Sequence, residues 1–192
     1  KKGYEGERQA PLRILPQDIL EDTFTFMAEA RPRESQPCAT LTLVPDSPLG
    51  LPMDQDCPTE LDALRAMGRR LCEVAKLAVR ESGALRDRQN PRLLLHLFRM
   101  AWLEATRRGA TDLVISVVPR HARFYAHSLL FEPLGSQRHY GSVRGTIGVP
   151  LRLDLRTAQA RYRQKYGDTP APGNLYRFFL HADEAQILAW LS

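Results

Sequence analysis

Cysteine is scarce in this chain. Cys38, Cys57 and Cys72 are odd in number and widely spaced, with no C-x-x-C pair, which excludes a disulfide framework and a thiolate zinc site as organising features. Such usage suits a reducing compartment, so a cytoplasmic location is expected. Long apolar runs are missing too. Stretches such as residues 113–118 fall far short of the ~20 residues a membrane helix needs, and no transmembrane segment is expected. Residues 1–9 are charged, and no apolar core of a secretory signal follows. There is no repeat, no low-complexity tract, no H-E-x-x-H, no G-x-S-x-G and no His/Asp cluster at ligand spacing, so no metal is expected.

What remains is an ordinary globular composition: 192 residues, 43% hydrophobic and 26% charged, enough for one domain with an appendage. Lys and Arg number 27 against 22 Asp and Glu, a net charge of +5 carried mainly by arginine. A mild basic excess suits nucleic acid, anionic lipid, a phosphorylated cofactor or an acidic carrier protein, and does not choose among them. The chain begins without Met in a polar stretch, which predicts that a further segment precedes Lys1.

Patterning gives the order of elements. Residues 1–22, with Pro11 and Pro16, read as an irregular lead-in. Residues 23–28 and 39–44 alternate and form two hairpin-paired strands. A breaker-rich loop at 46–52 follows, then a short helix with Thr59 as its N-cap, ended by Gly68. Residues 71–79 read as a strand whose one face would carry Leu71, Glu73, Ala75, Leu77 and Val79. After an arginine-rich loop, Pro91 opens a helix with Leu94, Leu97, Phe98, Ala101 and Ala105 at helical spacing, and Gly109 sits where a C-terminal cap belongs. Residues 113–118 form an apolar central strand. A short helix opens at Pro119 and Arg120, a hairpin spans about 131–140 and 146–155, and the tail from Thr157 is helical with a break at 167–173 and an amphipathic end at 184–191. This order predicts an α/β mixed sheet, mostly antiparallel, around one strand–helix–strand crossover, with helices on both faces.

Three constellations carry chemistry. Glu73 stands within an apolar strand face, where a carboxylate is costly unless paired or used. It is either an ion-pair partner of Lys76 or a nearby Arg, or a desolvated general base with a raised pKa. Lys76 would point to the opposite face, so it is a poor partner. Second, residues 119–125 join a strand end to a helix start, a setting that favours phosphate or carboxylate near Arg120. There His121 and Tyr125 are acid candidates; Arg123 reads as solvated and Phe124 as core. Third, Arg80, Arg86, Arg88 and Arg92, with Gly83 and Asn90, precede a helix and could hold a phosphate, although the loop matches neither a Walker loop nor a dinucleotide fingerprint and reads by default as solvated.

Several segments taken in order resemble the long-chain N-acyl amino acid synthases, GNAT-like acyltransferases related to acyl-homoserine-lactone synthases. They are residues 46–52 followed by Glu60, Leu61, Leu64 and Arg65; residues 71–79; residues 118–125; and residues 131–135. The resemblance covers about residues 3–155. It implies a GNAT-like domain over residues 1–155, with a first strand and helix missing, and a C-terminal helical extension over 156–192 packed on it. It implies transfer of a fatty acyl group from the phosphopantetheine thioester of an acidic acyl carrier protein to the amine of an amino acid. In that scheme Glu73 is the base, Tyr125 protonates the departing thiolate, and the strand end near Val79 splays to admit the pantetheine. A backbone N–H there meets the oxyanion, and Arg80, Arg86, Arg88, Arg92, Arg120 and His121 line the donor's mouth. Leu71, Leu77 and Phe98 would wall the acyl slot. No permanently bound cofactor is expected, only acyl-phosphopantetheine or acyl-CoA as donor. Leu85 departs from the Q/R-x-x-G-x-G/A loop of coenzyme A users, Leu130 replaces a frequent glycine, and Lys76 replaces the arginine of the lactone-synthase pattern. The competing readings are an acetyl-CoA-dependent GNAT acetyltransferase acting on a small amine, and a non-catalytic GNAT-like module binding nucleic acid or protein; the leading reading expects no nucleic acid.

Overall fold

The computed structural model describes residues 14–29, 37–79, 90–135, 138–140, 146–170 and 173–181. Strands β1 (Phe24–Glu29) and β2 (Pro37–Pro45) form the first hairpin and lead to helix α1 (Pro58–Ala66). Strand β3 (Leu71–Val79), helix α2 (Asn90–Arg107) and strand β4 (Asp112–Val117) form the crossover. Helix α3 (Pro119–Ser128), strands β5 (Glu132–Pro133), β6 (Arg138–Tyr140) and β7 (Thr146–Asp154), and helices α4 (Leu155–Tyr166) and α5 (Leu175–Leu180) complete the described chain. The sheet order is β1-β2-β3-β4-β7-β5, with β6 also on β7. Among the described strands only β3 and β4 run parallel. This is the mixed, mostly antiparallel sheet that the pattern predicts.

Two apolar layers cover the sheet. On one face Leu41, Leu43, Cys72, Val74, Leu113, Ile115 and Leu151 pack under α2–α5. There Trp102 of α2 meets Tyr162 of α4 edge-on at 5.2 Å and Phe179 of α5 at 5.4 Å. On the other face Val44, Leu71 and Val114 lie beneath α1 and the 3₁₀ turn Pro52–Gln55, through Met53, Leu61 and Leu64. Fully burying a leucine such as Leu61 contributes about 1.5–3 kcal/mol, which is what holds so short a helix on the sheet.

Several local expectations change. Pro58 occupies the first turn of α1 and Cys57 its N-cap, displacing Thr59 from that role; proline's fixed φ suits the first helical position. Helix α4 begins at Leu155, directly off β7, with the Asp154 side chain accepting the Arg156 N–H, so Leu155 does not extend the strand. The amphipathic end predicted at 184–191 lies outside the described residues.

The largest correction is in β3. Its register against β2 shifts between Thr40 and Thr42, opposite Ala78 and Ala75, so β3 carries one extra residue. Lys76 there has φ +50°, in the left-handed region. A bulge reverses the alternation beyond it. Leu77 and Val79 therefore pack on the α2 side, not on the face of Leu71, Glu73 and Ala75. Leu71 and Leu77, expected to share one wall with Phe98, lie on opposite faces.

Candidate active site

Strand β3 places Glu73 on the face covered by the Pro52–Gln55 turn. The residue is 6% exposed. Its Oε2 accepts the Met53 N–H at 2.8 Å, and among the described residues no Lys or Arg pairs with it. Lys76 pairs instead with Asp18. Burial pushes the Glu73 carboxyl up to about 8; the Met53 hydrogen bond pulls it down, and Asp54 and Asp56 nearby raise it further. Such a group is mostly protonated at neutral pH and takes up a proton readily once ionised.

The turn that supplies Met53 is itself fixed. Asp54 Oδ2 accepts the Leu51 N–H at 2.6 Å, closing the turn's first residues. Arg65 of α1 grips Asp54 through both terminal nitrogens at 2.7 Å. The same guanidinium holds Asp46, at the end of β2, at 2.7 and 2.9 Å, and Asp62 at 2.8 Å. Burial alone would raise the Asp54 carboxyl, but the Arg65 and Leu51 hydrogen bonds outweigh it and the net shift is downward. Gly50, with φ +67°, completes the entry: a Cβ there would sit 2.6 Å from Asp54 Oδ2. Sequence reading placed Asp46 and Gly50 in a breaker-rich loop and Arg65 on the short helix, took them as marks of resemblance, and missed their joint role. The available signal was three acidic residues, 46, 54 and 62, with a single arginine on the apolar side of a short helix.

The β3–β4 ladder runs from Leu71↔Asp112 to Glu73↔Val114 and stops. Beyond it the two parallel strands have no paired residues, so the sheet opens just past Glu73, earlier than the expected Val79. Val79 is the last residue of β3. The chain leaves the parallel strands at this same end, so the start of α2, with Arg92, and the start of α3, with Arg120 and His121, lie at this end of the sheet; all three side chains are exposed. Arg80, Arg86 and Arg88 lie outside the described residues. Tyr125, on α3, is 3% exposed and packs edge-on against Phe98 and Phe131 at 5.5 and 5.9 Å, on the sheet face opposite Glu73. Arg123 is exposed and Phe124 packs against the core, as predicted. Leu130 takes φ +57° at the position where glycine was expected, so the turn after α3 keeps a left-handed residue without glycine.

A cleft of about 450 Å³ lined by Asp46, Arg65, Arg70, Cys72 and Arg108 lies at the beginning of β3, at the other end of the strand from the opening. Its charges are largely committed, Arg65 to Asp46 and Asp54, and Arg108 to Asp22 and Glu104. It shares Asp46 and Arg65 with the clamp on the Pro52–Gln55 turn, but Glu73 is not among its lining residues. Among the described residues no group of three or more His, Cys, Asp or Glu could hold a metal ion, and no helix is long and apolar enough to cross a membrane.

A splayed parallel strand pair with a desolvated carboxylate beside the opening is the architecture of a GNAT-like acyltransferase. The chain belongs to the N-acyl amino acid synthase FeeM family, whose model matches residues 1–154. Its structure is similar to that of FeeM, an N-acyl amino acid synthase from uncultured soil microbes, at a TM-score of 0.63 and 28% identity over 72% of this chain and 75% of that one. It shares the fold of BjaI, a CoA-dependent acyl-homoserine lactone synthase solved with SAM and isopentyl-CoA, at a TM-score of 0.51 and 18% identity over 82% and 70% of the two chains. TofI, solved in a ternary complex with an inhibitor and MTA, aligns at a TM-score of 0.55 and 16% identity over 80% and 75%. Among curated proteins, none matches the chain. The protein is an acyltransferase.

Proposed function

We propose that this acyltransferase moves a long-chain fatty acyl group from the phosphopantetheine thioester of an acyl carrier protein to the amine of an amino acid. The observation that carries the reading is Glu73: buried, without a cationic partner among the described residues, raised to about 8, and standing where the β3–β4 ladder ends. The acceptor enters as an ammonium and first gives a proton to solvent water. Its nitrogen then attacks the thioester carbonyl, a C–N bond forms, and Glu73 takes the second proton as the tetrahedral intermediate collapses. The C–S bond breaks and the thiolate leaves with a proton from Tyr125. Proton exchange with solvent then resets both groups. A backbone N–H of β3 beyond Glu73, where the pairing with β4 has ended, meets the oxyanion.

Donor choice follows from charge. Carrier proteins are acidic, and Arg92, Arg120 and His121 stand exposed at the end of the sheet where the opening lies, with Arg80, Arg86 and Arg88 adjoining in sequence. Such docking is sensitive to salt. A donor of this kind belongs in the cytoplasm, and we assign the reaction there. Residues 1–155 form the acyltransferase domain in this reading, with 156–192 as an extension that packs on it through α4 and α5; residues 182–192 lie outside the described residues.

The test is product mass spectrometry after incubation with hexadecanoyl acyl carrier protein or hexadecanoyl-CoA and a mixture of all proteinogenic amino acids. An N-acyl amino acid formed from the carrier-protein donor, and lost on Glu73→Gln, is the expected result. Product from acetyl-CoA alone assigns an acetyltransferase instead. No product from any donor, with steep salt-dependent binding to nucleic acid, assigns a binding module.

A further inference from the structure

Helix α4 begins immediately beyond the stretch that the family model matches, and it packs on the sheet face that carries Tyr125, opposite Glu73. Its side chains converge on the end of α3. The last carbonyls of a helix have no partner within it and need donors from elsewhere. Here α4 supplies them. The Tyr162 hydroxyl donates to Leu129 O at 2.9 Å. The Tyr166 hydroxyl lies 3.0 Å from His127 O and 3.1 Å from Ser128 O. Lys165 Nζ also donates to His127 O. One turn earlier on α4, Arg161 pairs with Glu132 of β5 at 3.0 Å. Thus one helix face grips residues 127–132 from both ends.

The gripped segment is strained. Leu130 holds φ +57°, which costs a non-glycine residue about 1–2 kcal/mol and persists only where the surroundings impose it. The Leu129 amide closes the last helical turn on Tyr125 O at 3.2 Å, and the left-handed Leu130 brings the Phe131 amide to the same carbonyl at 3.1 Å. The turn therefore folds back onto the residue that the proposed chemistry uses as its acid. Tyr162 is fully buried, fixed by Trp102 and Phe179, so its hydroxyl is a rigid post.

From this we infer that Tyr162 and Tyr166 are positioning residues: α4 caps α3 from outside, and the cap sets the placement of Tyr125. The inference rests on the reading of Tyr125 as the acid, and the experiment separates the two. Tyr162→Phe/Tyr166→Phe keeps both rings and removes both hydroxyls. It is compared with wild type, Tyr125→Phe and the triple variant, using hexadecanoyl acyl carrier protein and hexadecanoyl-CoA. The expected result is a kcat lowered about tenfold with KM for donor and acceptor little changed, a loss of the size that displaced catalytic groups produce. Adding the two hydroxyl deletions to Tyr125→Phe should cost nothing further, because a group acting through Tyr125 has nothing left to act on.

Hydrogen exchange gives a readout independent of turnover: the Leu129 and Phe131 amides should exchange faster in the double variant. Unchanged kcat and unchanged exchange overturn the inference, as does a loss fully additive with Tyr125→Phe. Full turnover by Tyr125→Phe removes the acid reading and this inference with it. Impaired Tyr125→Phe beside a fully active double variant removes the inference alone. If the double variant does not fold, Tyr166→Phe, at the half-buried end of the cap, should show a kcat loss of about threefold that Tyr125→Phe absorbs; a loss that persists in the pair overturns the inference.

Discussion

The backbone N–H of Met53 donates to Oε2 of Glu73 at 2.8 Å, tying a turn to a strand that lies 20 residues further along the chain. That bond is the counterweight to desolvation. Burial drives the carboxyl toward its neutral form, while a donor aimed at the oxygen favours the charged one. Glu73 rests near 8 because burial wins without eliminating the anion.

The first consequence is a pH-dependent rate. At pH 7 a base with a pKa of about 8 is ionised in roughly a tenth of molecules. kcat/KM should climb close to tenfold per unit below pH 8 and level above it. The acceptor ammonium also titrates in the alkaline range, so the comparison is with Glu73→Gln. That variant should lose about 10²–10⁴ in turnover together with the Glu73 limb. If Glu73→Gln folds and keeps both rate and profile, Glu73 is not the base.

Stability carries the same signature with its own sign. The folded pKa of about 8 lies above the ordinary value of 4.5, so between these values the folded chain holds a proton that the unfolded chain has released. Stability from this group is complete below about 4.5 and falls as pH rises to about 8. Glutamine has no such transition, and its amide oxygen still accepts the Met53 N–H. Thermal unfolding should show Glu73→Gln gaining on wild type as pH rises through this window, with most of the gain in place by pH 8. Parallel melting curves at all pH values would contradict the burial assigned to Glu73.

Arg65 bears on Glu73 without touching it. Removing the guanidinium in Arg65→Met leaves Asp46 and Asp54 close together and uncompensated beside the turn that presents Met53. The expected cost is about 2–3 kcal/mol, the scale of hydrogen bonds to charged groups. The unscreened Asp54 also raises Glu73 further, so the rate profile should move to higher pH. Gly50→Ala should act in the same direction, since its Cβ would displace the pinned Asp54 carboxylate at a backbone φ of +67°. Melting curves with a pH–rate profile decide this: lost stability with an unmoved profile would reduce Arg65 to a structural tie.

Cys72 precedes Glu73 and faces the opposite layer. Burial pushes its thiol up to about 12, so almost no thiolate exists at neutral pH. An acyl-cysteine intermediate is then not expected, and transfer should be direct. Cys72→Ala should cost about 1 kcal/mol as a small cavity and leave turnover near the wild-type level. A hydroxylamine-labile acyl-enzyme that disappears in Cys72→Ala would overturn this.

Much of this arrangement was legible from residue pattern. The element order, the apolar β4 and the out-of-place Glu73 depend on local periodicity, which a single sequence carries. The facing of Leu77 and Val79 did not come through, because the Lys76 bulge leaves no mark in the alternation of apolar residues. The partner of Glu73 was hidden for another reason: a backbone N–H donor has no residue type. The carboxylates around Arg65 stood in the sequence, but only tertiary packing brings Asp46, Asp54 and Asp62 to one guanidinium. The cap of α3 by α4 was equally silent, since its acceptors are main-chain carbonyls.

Asp112 offers the contrasting case of a buried carboxylate that is structural. It is completely buried at the start of β4. Its oxygens accept from Arg69 at 2.6 and 2.8 Å, from Arg152 at 2.6 Å and from the Thr111 hydroxyl at 2.5 Å. Burial alone would raise this carboxyl; Arg69, Thr111 and Arg152 outweigh it and the net shift is downward, opposite to Glu73. The contribution to stability is therefore present above the ordinary aspartate value of 3.8 and is lost as pH falls below it. Asp112→Asn leaves two arginines facing a neutral amide, and breaking a buried pair in this way costs about 3–5 kcal/mol. The expected variant melts well below wild type at neutral pH, the two curves converge in acid, and turnover of the folded fraction keeps its alkaline rise. A displaced rate profile in Asp112→Asn would mean that the charge at the base of β4 reaches Glu73, and that the two carboxylates do not act independently.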